Sequence, residues 1–594
     1  MRMQCSPAPT MINESSQIPR NSDPLDNRGR WLQSALSWFG FCIALLCLIV
    51  VLGHYVLSVF QPVRWPTKVY FITALLLAFC SPKWALSILI VSLPLIPNLH
   101  IQAGHLLHPK VSYFVAYPGF DAVAGFCVGQ WLRLYILDKQ ELSKIFSPPP
   151  WPVGLLLITL TLSSALAIAR NLSQSAEDFS LSSFVYTLLR FKLISRLNDY
   201  YPVVDLMCYS LAGLLMCGLI RSFRASQNIT DEVFRPVMFG LIINACWGFI
   251  QAFTSFGLPP NTLEYRQEIF GFGAQGFQPD THAFASHMMA GTIGLIGYFF
   301  SKNSRVHPLL AIFIVLWCLF GIVLSKSRIS LLLSIAVLTW LICWLGVHRA
   351  RLRQYLLPLF FVTATVVFVM LFVTNNLSWL KDWLLQIKAA DFSDVEVLNA
   401  ISRDRFELHG AAIRMWLDYP FFGVGQGNFF RLSSIKEFSG SHIMYLAGRN
   451  LGGENAHNYF LQTLAEVGVL GIATFILAML WPFKAVKNFS SLYPASGMIF
   501  ALFCGNIYSH PLLIRENMFF LIIFISMLYA QKLNLVTDRV DNENANSSHK
   551  MEKTKWIIIY CLIIVVGYYA WQEIGSSFDR LPFEYGRLKG KPIN

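Results

Sequence analysis

The chain has 594 residues, of which 55% are hydrophobic and 13% charged, and its mean hydropathy is +0.51. A soluble domain of that composition would expose large apolar patches, so a soluble globular class is excluded and a polytopic membrane protein is expected. The formal charge of +13 does not argue for nucleic acid, because most Lys and Arg stand in short loops between apolar runs, where membrane topology requires them.

Residues 1 to 32 are polar and rich in Pro, Ser and Asn, and read as a disordered cytoplasmic tail ahead of an uncleaved first span. Taking apolar runs of about 17 to 25 residues as spans, the pattern places them near 33 to 60, 69 to 81, 84 to 98, 119 to 137, 152 to 169, 203 to 220 and 236 to 256. More follow near 284 to 300, 308 to 324, 329 to 347, 356 to 374, 459 to 481, 495 to 510, 516 to 530 and 556 to 572. The expected fold is therefore an all-α bundle of about 14 to 15 transmembrane helices, in which the short second run pairs with the third as a re-entrant hairpin or spans by itself. The twelve cysteines are scattered without a C-x-x-C pair; most lie in apolar runs, where they act as small hydrophobes.

Charge sets the orientation. With the N-terminus inside, Arg28, Arg30, Lys139, Lys144, Arg221, Arg224, Lys302, Arg305, Arg349, Lys484, Lys487 and Lys550 fall in cytoplasmic loops. The polar segments 171 to 202, 257 to 283, 325 to 328 and 375 to 456 then share the outer face. These breaks divide the chain into the tail at 1–32, N-terminal spans at 33–235, central spans at 236–374 and a large outer loop at 375–456. A C-terminal motif at 457–530, a cytoplasmic linker at 531–555, and a last span with an outer tail at 556–594 complete it.

The chemistry gathers at the outer face. In E-N-A-H-N-Y-F-L-Q-T-L-A-E-V-G-V-L-G, His457 and Asn458 open an apolar helix, with Asn455 or Asn458 as its cap. A neutral imidazole at such a rim suits a general base, although most histidines at helix starts are interfacial residues only. Glu454 either orients that ring or serves the helix dipole. Arg328, in L-S-K-S-R-I-S, stands at the outer end of a span, where a guanidinium needs a phosphate partner or must snorkel to the interface. Arg405 stands at the head of an amphipathic stretch, Phe406 to Leu417, running into P-F-F-G-V-G; with its charged neighbours Arg403, Asp404, Glu407 and Arg414 it also fits a solvated face.

The Gly423, Gly425 and Gly427 spacing is weak as a phosphate cradle, since no strand precedes it, and reads as backbone freedom for a loop folding back. Glu466 is a carboxylate at membrane depth, with Gly468 and Gly471 as a small-residue patch for a neighbouring helix. Further outer-face candidates are Arg170, Arg190, Lys192, Arg196, Arg266, His282, His287, His510 and Arg515. Basic groups outnumber acidic ones, which favours an anionic ligand; Asp394 and Glu396 are a poor metal set, so no metal and no cofactor are expected.

These residues together resemble the O-antigen ligase and polymerase superfamily. The resemblance rests on S-R at a mid-chain span end, an Arg ahead of D-Y-P-F-F-G-V-G-Q-G-N-F, and the His457 motif, and it covers residues 235 to 530. It implies a GT-C-like helical bundle with a large outer loop, in a bacterial inner membrane, with its active site on the periplasmic side. The implied activity is metal-independent transfer of a glycan from an undecaprenyl-pyrophosphate donor to an acceptor, in lipopolysaccharide or other surface polysaccharide biosynthesis. Carried over, Arg328 and Arg405 bind the pyrophosphate and His457 activates the acceptor hydroxyl, with Glu454, Asn458, Arg196 and Arg266 supporting. Ligase and polymerase differ only in acceptor, a glycan or lipid in one case and a second lipid-linked glycan in the other. The rival class, a transporter of lipid-linked oligosaccharide, should place cations deep in several spans, and the spans before Arg328 carry few.

Overall fold

The computed structural model describes residues 24–57, 65–97, 118–175, 180–191, 198–226, 228–254, 256–258, 273–299, 306–327, 394–402, 405–433, 454–485 and 493–540, with single positions between 330 and 438. Among them there is no strand, and the molecule is an all-α polytopic membrane protein. The helices are α1 (Pro24–Leu57), α2 (Trp65–Cys80), α3 (Pro82–Ser92), α4 (Pro118–Ile136), α5 (Trp151–Ser175), α6 (Leu181–Leu189) and α7 (Pro202–Arg224). They continue as α8 (Ile229–Thr254), α9 (Thr281–Phe299), α10 (Pro308–Leu324), α11 (Val395–Ser402), α12 (Arg405–Asp418), α13 (Asn428–Leu432), α14 (Tyr459–Leu480), α15 (Tyr493–Tyr508) and α16 (Arg515–Val540). Several begin on proline (Pro82, Pro118, Pro202 and Pro308), whose fixed φ and missing N–H suit the first helical position.

Six of the described helices are long and apolar enough to cross a membrane, and three shorter apolar ones accompany them. The runs expected near 69 to 81 and 84 to 98 form α2 and α3, hinged at Ser81. The 11 residues of α3 rise about 16 Å, half of a hydrocarbon core about 30 Å thick. Helix α2 lies against α4 at backbone distance: a Cβ on Gly125 or Gly129 would stand 2.2 Å from the carbonyl oxygen of Phe71 or Leu75. That is the small-xxx-small approach through which membrane helices gain van der Waals contact. The expected spans near 356 to 374 and 556 to 572 lie outside the described residues, as do the span near 329 to 347 apart from Ser330, Leu333 and Ser334 and most of the linker expected at 531–555.

Helix α16 is the axis of the bundle. Its most apolar window is 83% buried, more than that of any other described candidate span, and it packs on α7, α15 and α4. Polar contacts fix its register: Glu516 Oε1 accepts from the Gly119 N–H at 3.2 Å, and Asn517 Nδ2 donates to Gln278 Oε1 at 2.9 Å. Farther along, the Tyr529 hydroxyl donates to the Ala478 carbonyl at 2.7 Å, and Lys532 Nζ to that of Trp481 at 2.8 Å. The helix runs to Val540, ten residues beyond the end expected from the apolar run, because Gln531 to Asp538 continue the turn pattern without a breaker.

Candidate active site

The F-G-V-G-Q-G turn after α12 packs against α14, the helix that His457 precedes. Helix α14 is broken at Gly468, whose φ of +66° and ψ of −172° are not helical. The turn supplies partners for the backbone groups this break releases. Val424 N–H donates to Ala465 O at 2.9 Å and Gly425 N–H to Glu466 O at 2.7 Å, while Pro420 O and Phe421 O accept from Val469 and Leu470 at 2.8 and 3.2 Å. Within a bilayer such groups each cost several kcal/mol if unpaired, so turn and break stabilise each other. A side chain at the junction has no room: a Cβ on Gly468 would lie 2.3 Å from the Phe421 carbonyl, and one on Gly423 2.3 Å from that of Glu466.

The Gly425 N–H is committed to α14, so the turn folds back, as its backbone freedom allows, and acts as a clamp. One expectation changes: among the described residues the Gly468 patch receives this turn rather than a neighbouring helix. Glu466 serves the same clamp: its Oε1 accepts from Gln462 Nε2 at 3.0 Å and from the Phe429 N–H of α13 at 3.4 Å. Gln462 in turn accepts from the Ala456 N–H at 3.2 Å, beside His457.

Asn458 caps α14, its side chain accepting from the Leu461 N–H at 3.0 Å. Asn458→Ala is expected to cost about 0.5–2 kcal/mol, seen as a lower unfolding midpoint of the purified protein in detergent. His457, just before the cap, has φ +51°, a left-handed backbone that a non-glycine residue adopts only where its surroundings enforce it. The hydrogen bond from Tyr459 N–H to Ser509 O, 3.1 Å, is one such tie. The imidazole meets His510 edge-on, with 4.8 Å between ring centroids, and its Nε2 lies 3.8 Å from Glu454 Oε1, beyond hydrogen-bond range. Its Nδ1 is buried and makes no hydrogen bond among the described residues.

Arg405 enters from the start of α12, where Leu408, Ala411, Ala412 and Met415 bury one face of the helix. Its Nη1 donates to the Tyr508 carbonyl at 3.0 Å and its Nη2 meets His282 Nε2 at 3.3 Å. His409 stands four residues on, one turn along the same face. Burial, then the charges of His510, Arg405, His282 and His409, holds the His457 imidazole well below its ordinary pKa. Burial and Arg405 lower His409 as well. The site thus combines a fixed guanidinium with an imidazole kept neutral, an arrangement that can take a proton beside a bound anion.

The remaining candidates separate. Glu454 joins the cluster, although its Oε1 also accepts from the Asn455 N–H at 2.9 Å. Arg170 stacks on Tyr419 at 4.3 Å and donates to Gly423 O at 2.7 Å, holding the clamp. Arg515 pairs with Asp205 at 3.0 Å, Arg190 covers Tyr186 at 4.1 Å, and His287 is buried against Phe520. Arg414 donates to Phe438 O at 2.9 Å. Arg328, Arg196, Arg266 and Lys192 lie outside the described residues. The sequence reading passed over His409, Ser327, Ser330 and Tyr508. The i,i+4 spacing of Arg405 and His409 was a usable signal for the first; the others are single hydroxyls at span ends, with no spacing to mark them.

Residues 313–476 match a family model described as O-Antigen ligase. Over that stretch the chain is similar to the O-antigen ligase family. No curated protein and no solved structure matches the chain. The matched O-antigen ligase stretch runs from α10 into α14 and contains Arg405, His409, Glu454 and His457, whereas His282, Tyr508 and His510 come to the site from outside it. The match supports a membrane enzyme of surface polysaccharide biosynthesis.

Proposed function

We propose that this protein is a glycosyltransferase that moves a glycan from an undecaprenyl-pyrophosphate donor to an acceptor hydroxyl at the outer face of a bacterial inner membrane. The observation that carries the reading is the convergence of the half-buried His457 imidazole, whose pKa burial and neighbouring charges lower, with the Arg405 guanidinium inside the stretch that matches the O-antigen ligase family. A planar guanidinium suits a pyrophosphate, which it meets with parallel charge-assisted hydrogen bonds. Arg405, together with Arg328, holds the donor.

His457 removes the acceptor proton as the oxygen attacks the anomeric carbon. The new glycosidic bond forms while the bond from that carbon to the pyrophosphate oxygen breaks, and configuration inverts. The lipid pyrophosphate leaves with the bonding electrons and the proton rests on His457. The arginines stabilise the negative charge as it develops on the departing oxygen. Ligase and polymerase differ in which hydroxyl arrives, and both run through these steps.

Purified protein supplied with a lipid-pyrophosphate-linked oligosaccharide and candidate acceptors is expected to transfer glycan, with or without chelator. Arg405→Ala is expected to lower kcat/KM for the donor about a hundredfold, the scale for a lost donor to developing charge. Transfer that is equally fast in the Arg405→Ala protein overturns the assignment of Arg405.

A further inference from the structure

Arg405 is one member of a closed hydrogen-bond circuit drawn from α9, α12, α15 and the segment after α10. Its Nη2 meets His282 Nε2 at 3.3 Å; His282 Nδ1 meets Ser327 Oγ at 3.0 Å; Ser327 Oγ meets Ser330 Oγ at 2.6 Å. Ser330 Oγ then meets the Tyr508 hydroxyl at 2.7 Å, and the carbonyl of the same Tyr508 accepts from Arg405 Nη1 at 3.0 Å. Ser327 and Ser330 are buried, and Tyr508 is 9% exposed, so little water competes for these bonds.

The protons in this circuit follow from one fact of chemistry: a guanidinium donates and cannot accept. His282 Nε2 must therefore present its lone pair to Arg405, which puts the ring proton on Nδ1, directed at Ser327. With Ser327 accepting from the ring, one self-consistent order has Ser327 donating to Ser330 and Ser330 to Tyr508. Tyr508 completes the order by donating to Ser286 Oγ, 3.1 Å away. The whole set is consistent with a neutral His282 in a single tautomer.

We infer that His282 is a positioning residue for Arg405, fixing the plane of the guanidinium while neutral and releasing it when protonated. This rests on the reading of Arg405 as a donor-pyrophosphate ligand. A protonated His282 carries N–H on both nitrogens, so Nε2 no longer accepts and two cations face each other at the former hydrogen bond. Among the described residues, the charged and titratable groups on the elements packed here are mostly basic. Arg405, Glu407 and His409 come from α12, His457 and Glu454 from the lead into α14, Tyr508 and His510 from the end of α15, Asp280 from just before its own helix, and Lys326 from beside Ser327. Of these carboxylates, that of Asp280 accepts from the Ala283 N–H at 2.8 Å, capping α9, Glu454 stands on the His457 side, and Glu407 is in the first turn of α12. Acid therefore weakens donor binding by loosening Arg405, separately from any protonation of His457.

The test is the donor KM as a function of pH, from about pH 5 to 8 where histidine titrates, for full-length wild type, His282→Gln, His282→Leu and Arg405→Ala. His282→Leu, which removes the acceptor, is expected to raise donor KM about tenfold at neutral pH with acceptor KM unchanged, the scale for a hydrogen bond to a charged group. His282→Gln keeps an acceptor oxygen that takes no proton; it is expected to match wild type at neutral pH and to lose the rise in donor KM on acidification. A His282→Leu KM within about twofold of wild type overturns the inference, since a lost charge-assisted bond exceeds that. A His282→Gln curve that follows wild type into acid overturns it equally, and that curve decides alone if His282→Leu does not fold. Failure of wild type to transfer, or full activity of Arg405→Ala, removes instead the reading on which the inference rests.

Discussion

Replacing His457 with Ala is expected to lower kcat for glycan transfer by about 10²- to 10⁴-fold, the range for loss of a positioned general base, while leaving donor binding close to wild type. The His457 imidazole can accept a proton whereas the Arg405 guanidinium cannot, and Glu454 stands 3.8 Å from it with its Oε1 accepting from the Asn455 N–H. Burial and the surrounding basic groups depress the His457 pKa, so the base is already neutral at pH 7. The sign follows. Activity that depends on neutral His457 holds as pH falls through the ordinary histidine range near about 6.5 and fails only at lower pH, where the imidazole charges. An acid limb of kcat lying below that of a free histidine, absent from the His457→Ala residual rate, is the expected profile. A His457→Ala protein that folds and transfers at the wild-type rate removes His457 from the chemistry.

Gly468→Ala is expected to be the most damaging single-methyl change in the described bundle. Its φ and ψ fall in a region open almost solely to glycine, which costs about 1–3 kcal/mol for any other residue. In addition the new Cβ would meet the Phe421 carbonyl carbon and oxygen at 2.3 Å, so the turn must leave. Departure of the turn takes the partners of Ala465 O, Val469 N and Leu470 N together and leaves Glu466 O to the Ser163 hydroxyl at 3.4 Å. Thermal unfolding in detergent should show a large drop in midpoint for Gly468→Ala, and Gly423→Ala should behave alike from the other side of the junction. Gly497→Ala is the control, because its added methyl meets only Ile293 Cγ2, at 3.3 Å. Equal midpoints for Gly468→Ala and the control would show that the break is not held by the turn.

Much of this was legible in the chain because membrane physics writes it there. An apolar run must become a helix when no water is available to its backbone, so Pro308–Leu324 and Pro202–Arg224 appear where hydropathy placed them. The start of α14 was equally plain, since Asn458 is a capping residue immediately before an apolar series. The break within it was not. Leu461 to Leu480 keeps its apolar pattern straight through Gly468, and a lone glycine in such a series is ordinarily tolerated; its meaning lies in a turn more than forty residues earlier. The Arg405 circuit was hidden for a related reason. Ser327, Ser330 and Tyr508 are unremarked in their own segments, His282 stands out there only as one of several outer-face basic groups, and the packing of α9 with α10 and α15 brings them together.

The central place of α16 bears on how the molecule comes into being. Membrane chains are delivered from the N-terminus, and their parts organise as they emerge, yet here the most enclosed of the described candidate spans arrives last among them. Until Arg515 to Leu533 enters, α4 and α7 must wait beside an open socket, with the Gly119 N–H lacking Glu516 and the Gln278 side chain lacking Asn517. The newborn bundle is then a vestibule rather than a core, and the cell's quality-control machinery meets a half-built protein whose keystone is still in the ribosome.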